Sequence, residues 1–152
     1  MSVADQLQAL GITLPDTPTP LALYRPAVRT RDFVVVSGQL PMRDGALVHP
    51  GRLGDTVSVE QGREAARMAA LNALAAAHAL LGSLEGLRVV RTVGYVASTP
   101  EFKDHGQVIN GASELLRDVF GEEQGVGARL SLGMASLPAG SCVEVELLLE
   151  AD

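Results

Sequence analysis

A chain of 152 residues, 47% hydrophobic and 20% charged, has the material for one packed core and lacks the charge imbalance of a disordered segment. A net charge of −6, 3% aromatic residues and no tryptophan argue against a nucleic-acid partner, because the field repels phosphates and stacking platforms are scarce. The single cysteine, Cys142, excludes an internal disulfide and a cysteine-rich zinc site and suits a reducing cytoplasm, while His49, His78 and His105 match no metal-ligand spacing.

The opening MSVADQLQALG has no basic segment followed by an apolar run, so it does not read as a signal peptide. It reads as a short helix that Ser2 caps and Gly11 ends, with Leu7 and Leu10 three apart. PDTPTP then predicts an extended spacer, since each proline fixes its own φ and restricts its predecessor. LALYRPAVR and DFVVVSGQL are β-prone runs at hairpin spacing, with Pro26 expected at an edge or bulge. From Pro41 to Thr56 the chain is rich in Gly and Pro, offers only Ala46–Val48 as strand, and reads as a surface excursion.

Ser58 and Gln61 form a capping box, after which alanines and leucines from Ala65 to Leu81 recur at helical spacing until Gly82. Arg67, Asn72 and His78 make this helix too polar to span a membrane, and its alanine face permits close approach to a sheet. LRVVRTVGYVAST alternates and is β-branched, which predicts a long strand. A second long helix is predicted over about Asp104–Phe120, with Val108, Ala112, Leu115, Leu116 and Val119 inward and Gly121 closing it; His105 at its start reads as solvated. The element order predicts an α+β fold, a mixed β-sheet backed by two α-helices on one face, with an extra short N-terminal helix. Residues 1–152 read as one domain, 1–20 being the helix and spacer.

The closing GARLSLGMASLPAGSCVEVELLLEAD reads as two strands hinged on LPAG. Alternation sets Leu130, Leu132 and Met134 against Arg129, Ser131, Gly133 and Ala135, and Val143, Val145, Leu147 and Leu149 against Cys142, Glu144, Glu146 and Glu150. A tight turn pairs Ala135 near Cys142, Gly133 near Glu144 and Ser131 near Glu146, which gathers Arg129 and both glutamates on one face. Two readings stand together. One is an exposed face with weak cross-strand ion pairs. The other is an anion site in which a guanidinium gives a carboxylate two parallel hydrogen bonds and a glutamate, raised by its like-charged neighbour, handles a water or proton. Spacing alone does not choose.

LYRPAV, VVVSGQLP, FKDHGQVINGASELL, GARLSLGMASLP and CVEVE, in this order, resemble the RidA/YjgF family, also labelled the L-PSP endoribonuclease family, from about Leu21 to Ala151. The resemblance implies a chorismate-mutase-like fold and a homotrimer with ligand clefts between subunits. It implies hydrolysis of the reactive enamines and imines made by pyridoxal-phosphate enzymes to 2-oxo acids and ammonia, with no metal or cofactor of its own. Arg129 is then the grip on the substrate carboxylate and Glu144 the residue that orients and activates water. Tyr24, Gly38, Asn110 and Ser131 are implied as substrate-binding, Ser131 standing where the family often has Cys and holding the water through its backbone carbonyl. Glu146 stays unassigned.

Structural rivals accompany these roles: Tyr24 as a cap on the core beside Pro26, and Asn110 as a plain helix-surface residue. Two other functions also stay open. One is a regulatory trimer that binds 2-oxo acids or other carboxylates without turnover; the other is an endoribonuclease, which the net charge and the lack of a His pair disfavour. The expected partner is a small 2-imino or 2-oxo acid in the cytoplasm, with no membrane. Met42–Thr56 is longer and richer in Gly and Pro than in the compact deaminases, and the N-terminal helix is additional.

Overall fold

The computed structural model describes residues 1–17 and 19–152. The predicted proline-rich spacer therefore lies partly, at Pro18, outside the described residues. Helix α1 (Val3–Ala9) begins as expected: the Ser2 hydroxyl accepts from the Asp5 N–H at 3.0 Å and the Asp5 carboxylate accepts from the Ser2 N–H at 3.3 Å. Gly11 takes φ +68° just past its end.

Strands β1 (Ala27–Thr30) and β2 (Phe33–Gln39) form the predicted hairpin, but pairing starts only at Ala27. Pro26 precedes this edge strand, where its missing N–H costs no ladder bond, and its carbonyl accepts from the Ser37 N–H at 2.8 Å. The loop that follows is more than a surface excursion. It forms a small hairpin, β3 (Met42–Arg43) with β4 (Ala46–Leu47), and sends Val48, Leu53 and Val57 into the core. Leu53 bonds through its backbone to Ala97 and Thr99 at 2.9 and 3.0 Å, the most deeply buried of the three in a stretch without periodicity.

Helix α2 (Val59–Leu81) shows the Ser58–Gln61 capping box and ends at Gly82 with φ +79°. Ala65, Ala66, Ala69, Ala70, Ala73 and Ala77 are fully buried, and their small side chains let the helix lie close to the sheet. Strand β5 (Leu87–Ala97) leads to helix α3 (His105–Gly125), whose regular course breaks at Gly121 (φ 86°), the predicted closing residue. The two helices touch at Gly111, where a Cβ would stand 3.0 Å from the Arg63 Cα. Strands β6 (Ala128–Met134) and β7 (Val143–Ala151) complete a mixed sheet in the order β1-β2-β7-β5-β6, with α2 and α3 on one face.

The predicted terminal hairpin does not form. β5 lies between β6 and β7, pairing parallel with the first and antiparallel with the second, while Pro138–Gly140 makes a 3₁₀ turn in the connection across it. The reason is the helix before β6: a helical crossover is the connection that parallel neighbours require, so β5-α3-β6 forms a βαβ unit. In register, Arg129 shares a row with Thr92 and Leu147, and Ser131 with Gly94 and Val145, on the helix-covered side. Leu130 shares a row with Val93 and Glu146, and Leu132 with Tyr95 and Glu144, on the open side. Arg129 and the two glutamates thus occupy opposite faces of one subunit, contrary to the single-face expectation.

The open face carries exposed apolar side chains beside Glu144 and Glu146. Val28, Phe33, Val35, Leu130, Leu132 and Met134 are each 38–49% exposed there. Among the described residues no helix is long and apolar enough to cross a membrane.

Candidate functional site

The cationic part of the site lies at the β6 edge. Arg129 Nη1 donates to Asn110 Oδ1 at 2.7 Å and to Ser113 Oγ at 3.2 Å, two acceptors three residues apart on α3. Both partners are neutral, and among the described residues no ion pair includes Arg129. Its charge is held in place and left uncompensated. The first turn of α3 presses against the same group: a Cβ on Gly106 would lie 3.3 Å from Arg129 Nη2. One row further along β6 stands Ser131, whose Oγ is buried without a hydrogen-bond partner.

Gly133, the next small residue of that row, accommodates an imidazole. A Cβ there would sit 2.6 Å from His105 Nε2. His105 is half-buried, with Nε2 3.4 Å from Ser98 Oγ and its ring edge-on to Phe102 at 5.2 Å. His105 is thus half-buried, less solvated than expected, because the α3 N-terminus leans onto the edge strand.

The acidic part lies on the open face, where β2 and β7 meet. Glu144 sits beside Gly38, just where a register shift between Val36 and Gln39 bends β2. A Cβ at position 38 would lie 2.9 Å from the Glu144 carboxyl carbon, so glycine is what leaves room for the carboxylate. Burial, and then the like charge of Glu146, push the Glu144 pKa above the usual carboxylate value of 4.5. Glu146 accepts from the Tyr95 hydroxyl at 2.7 Å, and that hydrogen bond is the main cause raising the Tyr95 pKa.

Tyr95 is a participant that sequence reasoning missed, since its contact with Glu146 depends on β5 lying beside β7. Tyr24 is 46% exposed just before β1 and, with Gly38, lines a cavity of about 680 Å³.

Within one chain the candidate residues fall into two groups. Arg129, Asn110 and Ser131 stand together at β6 and α3, whereas Glu144 and Gly38 stand together at β7 and β2, with Tyr24 bordering Gly38 across the cavity. Among the described residues no three His, Cys, Asp or Glu side chains gather as metal ligands would. Cys142 is buried, its thiol pushed up to about 11 by desolvation, which keeps it protonated and unreactive.

The family model described as "YjgF/chorismate_mutase-like, putative endoribonuclease" matches residues 4–151. Protein TCP17 of Trypanosoma cruzi is 43% identical over 149 residues, covering 97% of this chain and 93% of that protein. Among solved structures, protein Atu1372 of Agrobacterium tumefaciens, of unknown function, is 41% identical with a TM-score of 0.91, covering 99% of this chain and 92% of its own. A putative endoribonuclease from Shewanella oneidensis is 30% identical with a TM-score of 0.94, covering 99% of both chains.

Proposed function

The chain belongs to the YjgF/chorismate mutase-like family, and from that premise we propose that it hydrolyses reactive 2-imino and 2-enamino acids to 2-oxo acids and ammonia in clefts between subunits of a cytoplasmic homotrimer. The observation that carries this reading is the uncompensated Arg129 guanidinium, held by Asn110 and Ser113. A fixed planar cation whose neighbours are neutral is a receptor for a carboxylate, which it grips through two parallel hydrogen bonds.

The open face of the sheet supports the trimer reading. An open face with six exposed apolar side chains is a liability in a monomer. A three-fold contact that repeats head to tail covers that face and sets the Arg129 edge of one subunit against the Gly38–Glu144 wall of the next. This supplies in assembly what a single chain separates.

The chemistry is then short. Arg129 holds the substrate carboxylate and so fixes the adjacent imine carbon. Glu144 takes a proton from water as the water oxygen bonds to that carbon, and the C=N electron pair moves to nitrogen, which is already protonated. The resulting carbinolamine gains a proton on nitrogen from Glu144, and its hydroxyl proton passes back to the freed Glu144 carboxylate, which releases it to solvent at the end of the cycle. Its C–N bond then breaks, ammonia leaves, and the 2-oxo acid forms. A raised carboxylate pKa suits this two-way proton traffic. The backbone carbonyl of Ser131 helps hold the water. An iminium is already electrophilic, so orientation and proton transfer suffice.

Ammonia release from freshly generated 2-iminopropionate tests the reading. The wild-type protein accelerates it and Arg129→Ala does not. No acceleration, with 2-oxo acids still stabilising the protein through Arg129, would instead establish a binding trimer. RNA cleavage that survives Arg129→Ala and added carboxylate would establish the endoribonuclease.

A further inference from the structure

Two carboxylates placed two residues apart on a strand face the same side, and nothing in that spacing says which of them carries a proton. For Glu144 and Glu146 the neighbouring strands make the difference. The Glu144 carboxylate leans over β2, where Gly38 leaves room for it, and its raised pKa comes from burial and the charge of Glu146, with no hydrogen bond contributing. The Glu146 carboxylate turns the other way, toward β5, and accepts from the Tyr95 hydroxyl at 2.7 Å.

Tyr95 makes that contact diagonally. In register it stands opposite Glu144, while Val93 stands opposite Glu146. A phenol has one proton to give, so a hydroxyl beside two carboxylates serves one of them. A hydrogen bond donated to the charged form of a carboxylate favours that form. The bond to Glu146 is also the main cause that raises the Tyr95 pKa above its ordinary 10.0, so the phenol keeps its proton at working pH and stays a donor.

The other charges on this face are few. Arg91, also on β5, acts on Tyr95 in the opposite sense and is the last of its causes. Glu150, further along β7, stands in register with Arg88. Strand β2 has no titratable side chain, and the one that β6 has, Arg129, lies on the helix-covered side.

We propose that Tyr95 is a positioning residue of the hydrolase site: its hydroxyl holds the Glu146 carboxylate charged and turned toward β5, which leaves Glu144 as the carboxyl that takes and returns protons. The part Tyr95 plays in turnover rests on the imine-hydrolase reading, whereas the division between the two carboxylates does not. Without the hydroxyl the pair loses its asymmetry. Glu146 then competes for the proton that repulsion keeps on the pair, and Glu144 ionises at lower pH.

Tyr95→Phe tests this, since it removes the hydroxyl and keeps the ring. The acid limb of kcat/KM for 2-iminopropionate moves to lower pH, and on that limb the rate, as a fraction of its plateau, exceeds the wild-type fraction by about twofold or more. In a Glu146→Gln background the same substitution moves the limb no further, because the residue through which Tyr95 acts has lost its charge. A limb that Tyr95→Phe leaves in place, or moves equally in both backgrounds, overturns the proposal. Carbon-13 NMR titration of the Glu144 carboxyl in the substrate-free protein separates the proposal from the reading beneath it. If no imine is hydrolysed, the hydrolase reading falls, and a Glu144 midpoint that drops in Tyr95→Phe still upholds Tyr95 as the residue that assigns the proton. A midpoint unmoved or raised overturns that assignment whatever the turnover.

Discussion

At the β6 edge Arg129 is fixed by two neutral acceptors on α3, whereas on the open face Glu144 takes its character from burial and from the like charge of Glu146. The first arrangement secures orientation, the second basicity. They conflict if built side by side, because a cation next to Glu144 would lower its pKa and a carboxylate next to Arg129 would occupy the grip meant for substrate. Opposite faces of one sheet let each be tuned alone, and the proposed trimer would join them only across a cleft between subunits.

The largest effect expected from breaking this contrast is at Arg129. Arg129→Ala lowers kcat/KM by about a hundredfold or more, and Arg129→Lys recovers little, because an ammonium lacks the planar fork. Near-wild-type activity in Arg129→Lys would show that charge, not orientation, is what the edge supplies. Next comes Gly38→Ala, whose Cβ displaces the Glu144 carboxylate and lowers kcat by about tenfold or more. Arg129-dependent binding of 2-oxo acids persists in that variant, and its loss in calorimetry would mean that the two walls are not independent.

Subunit mixing sharpens the comparison further. Arg129→Ala and Glu144→Gln are each inactive alone. Exchanged one to one in a trimer with shared clefts, they rebuild intact sites at about a quarter of positions, and activity returns to that level. If both walls of a cleft came from one subunit, mixing would restore nothing.

Much of this was legible in the sequence. The Ser58–Gln61 box, the alanine spacing and Gly82 mark α2 because caps and periodicity are local, and Gly121 marks the break in α3 for the same reason. Strand alternation is also local: it says that Arg129 and Ser131 share a side, but not which strand lies next to them. The chain-adjacent partner was β7, the true one β5, and every cross-strand inference changed with it. Tyr95 was hidden on the same account. Leu53 was hidden differently, since it, Val48 and Val57 are buried from a Gly- and Pro-rich loop that carries no pattern.

The smallest predicted effect concerns Glu146, to which the sequence assigned no role. Its charge is the second cause, after burial, that raises the Glu144 pKa. Glu146→Gln removes that charge and leaves the burial, so the Glu144 pKa falls yet stays above the ordinary value. Glu144 must be ionised to take a proton from water, so the acid limb of kcat/KM moves to lower pH. The stability linkage has a matching sign. A carboxyl whose folded pKa is raised contributes stability below its unfolded pKa, and that contribution is lost as pH rises through the folded pKa. With the shift reduced, Glu146→Gln gains stability relative to wild type as pH rises from the acid range toward neutral. Rate profiles and urea unfolding across that range check both signs. An unmoved acid limb would sever Glu146 from Glu144 and leave the Tyr95–Glu146 hydrogen bond as a packing contact of the open face.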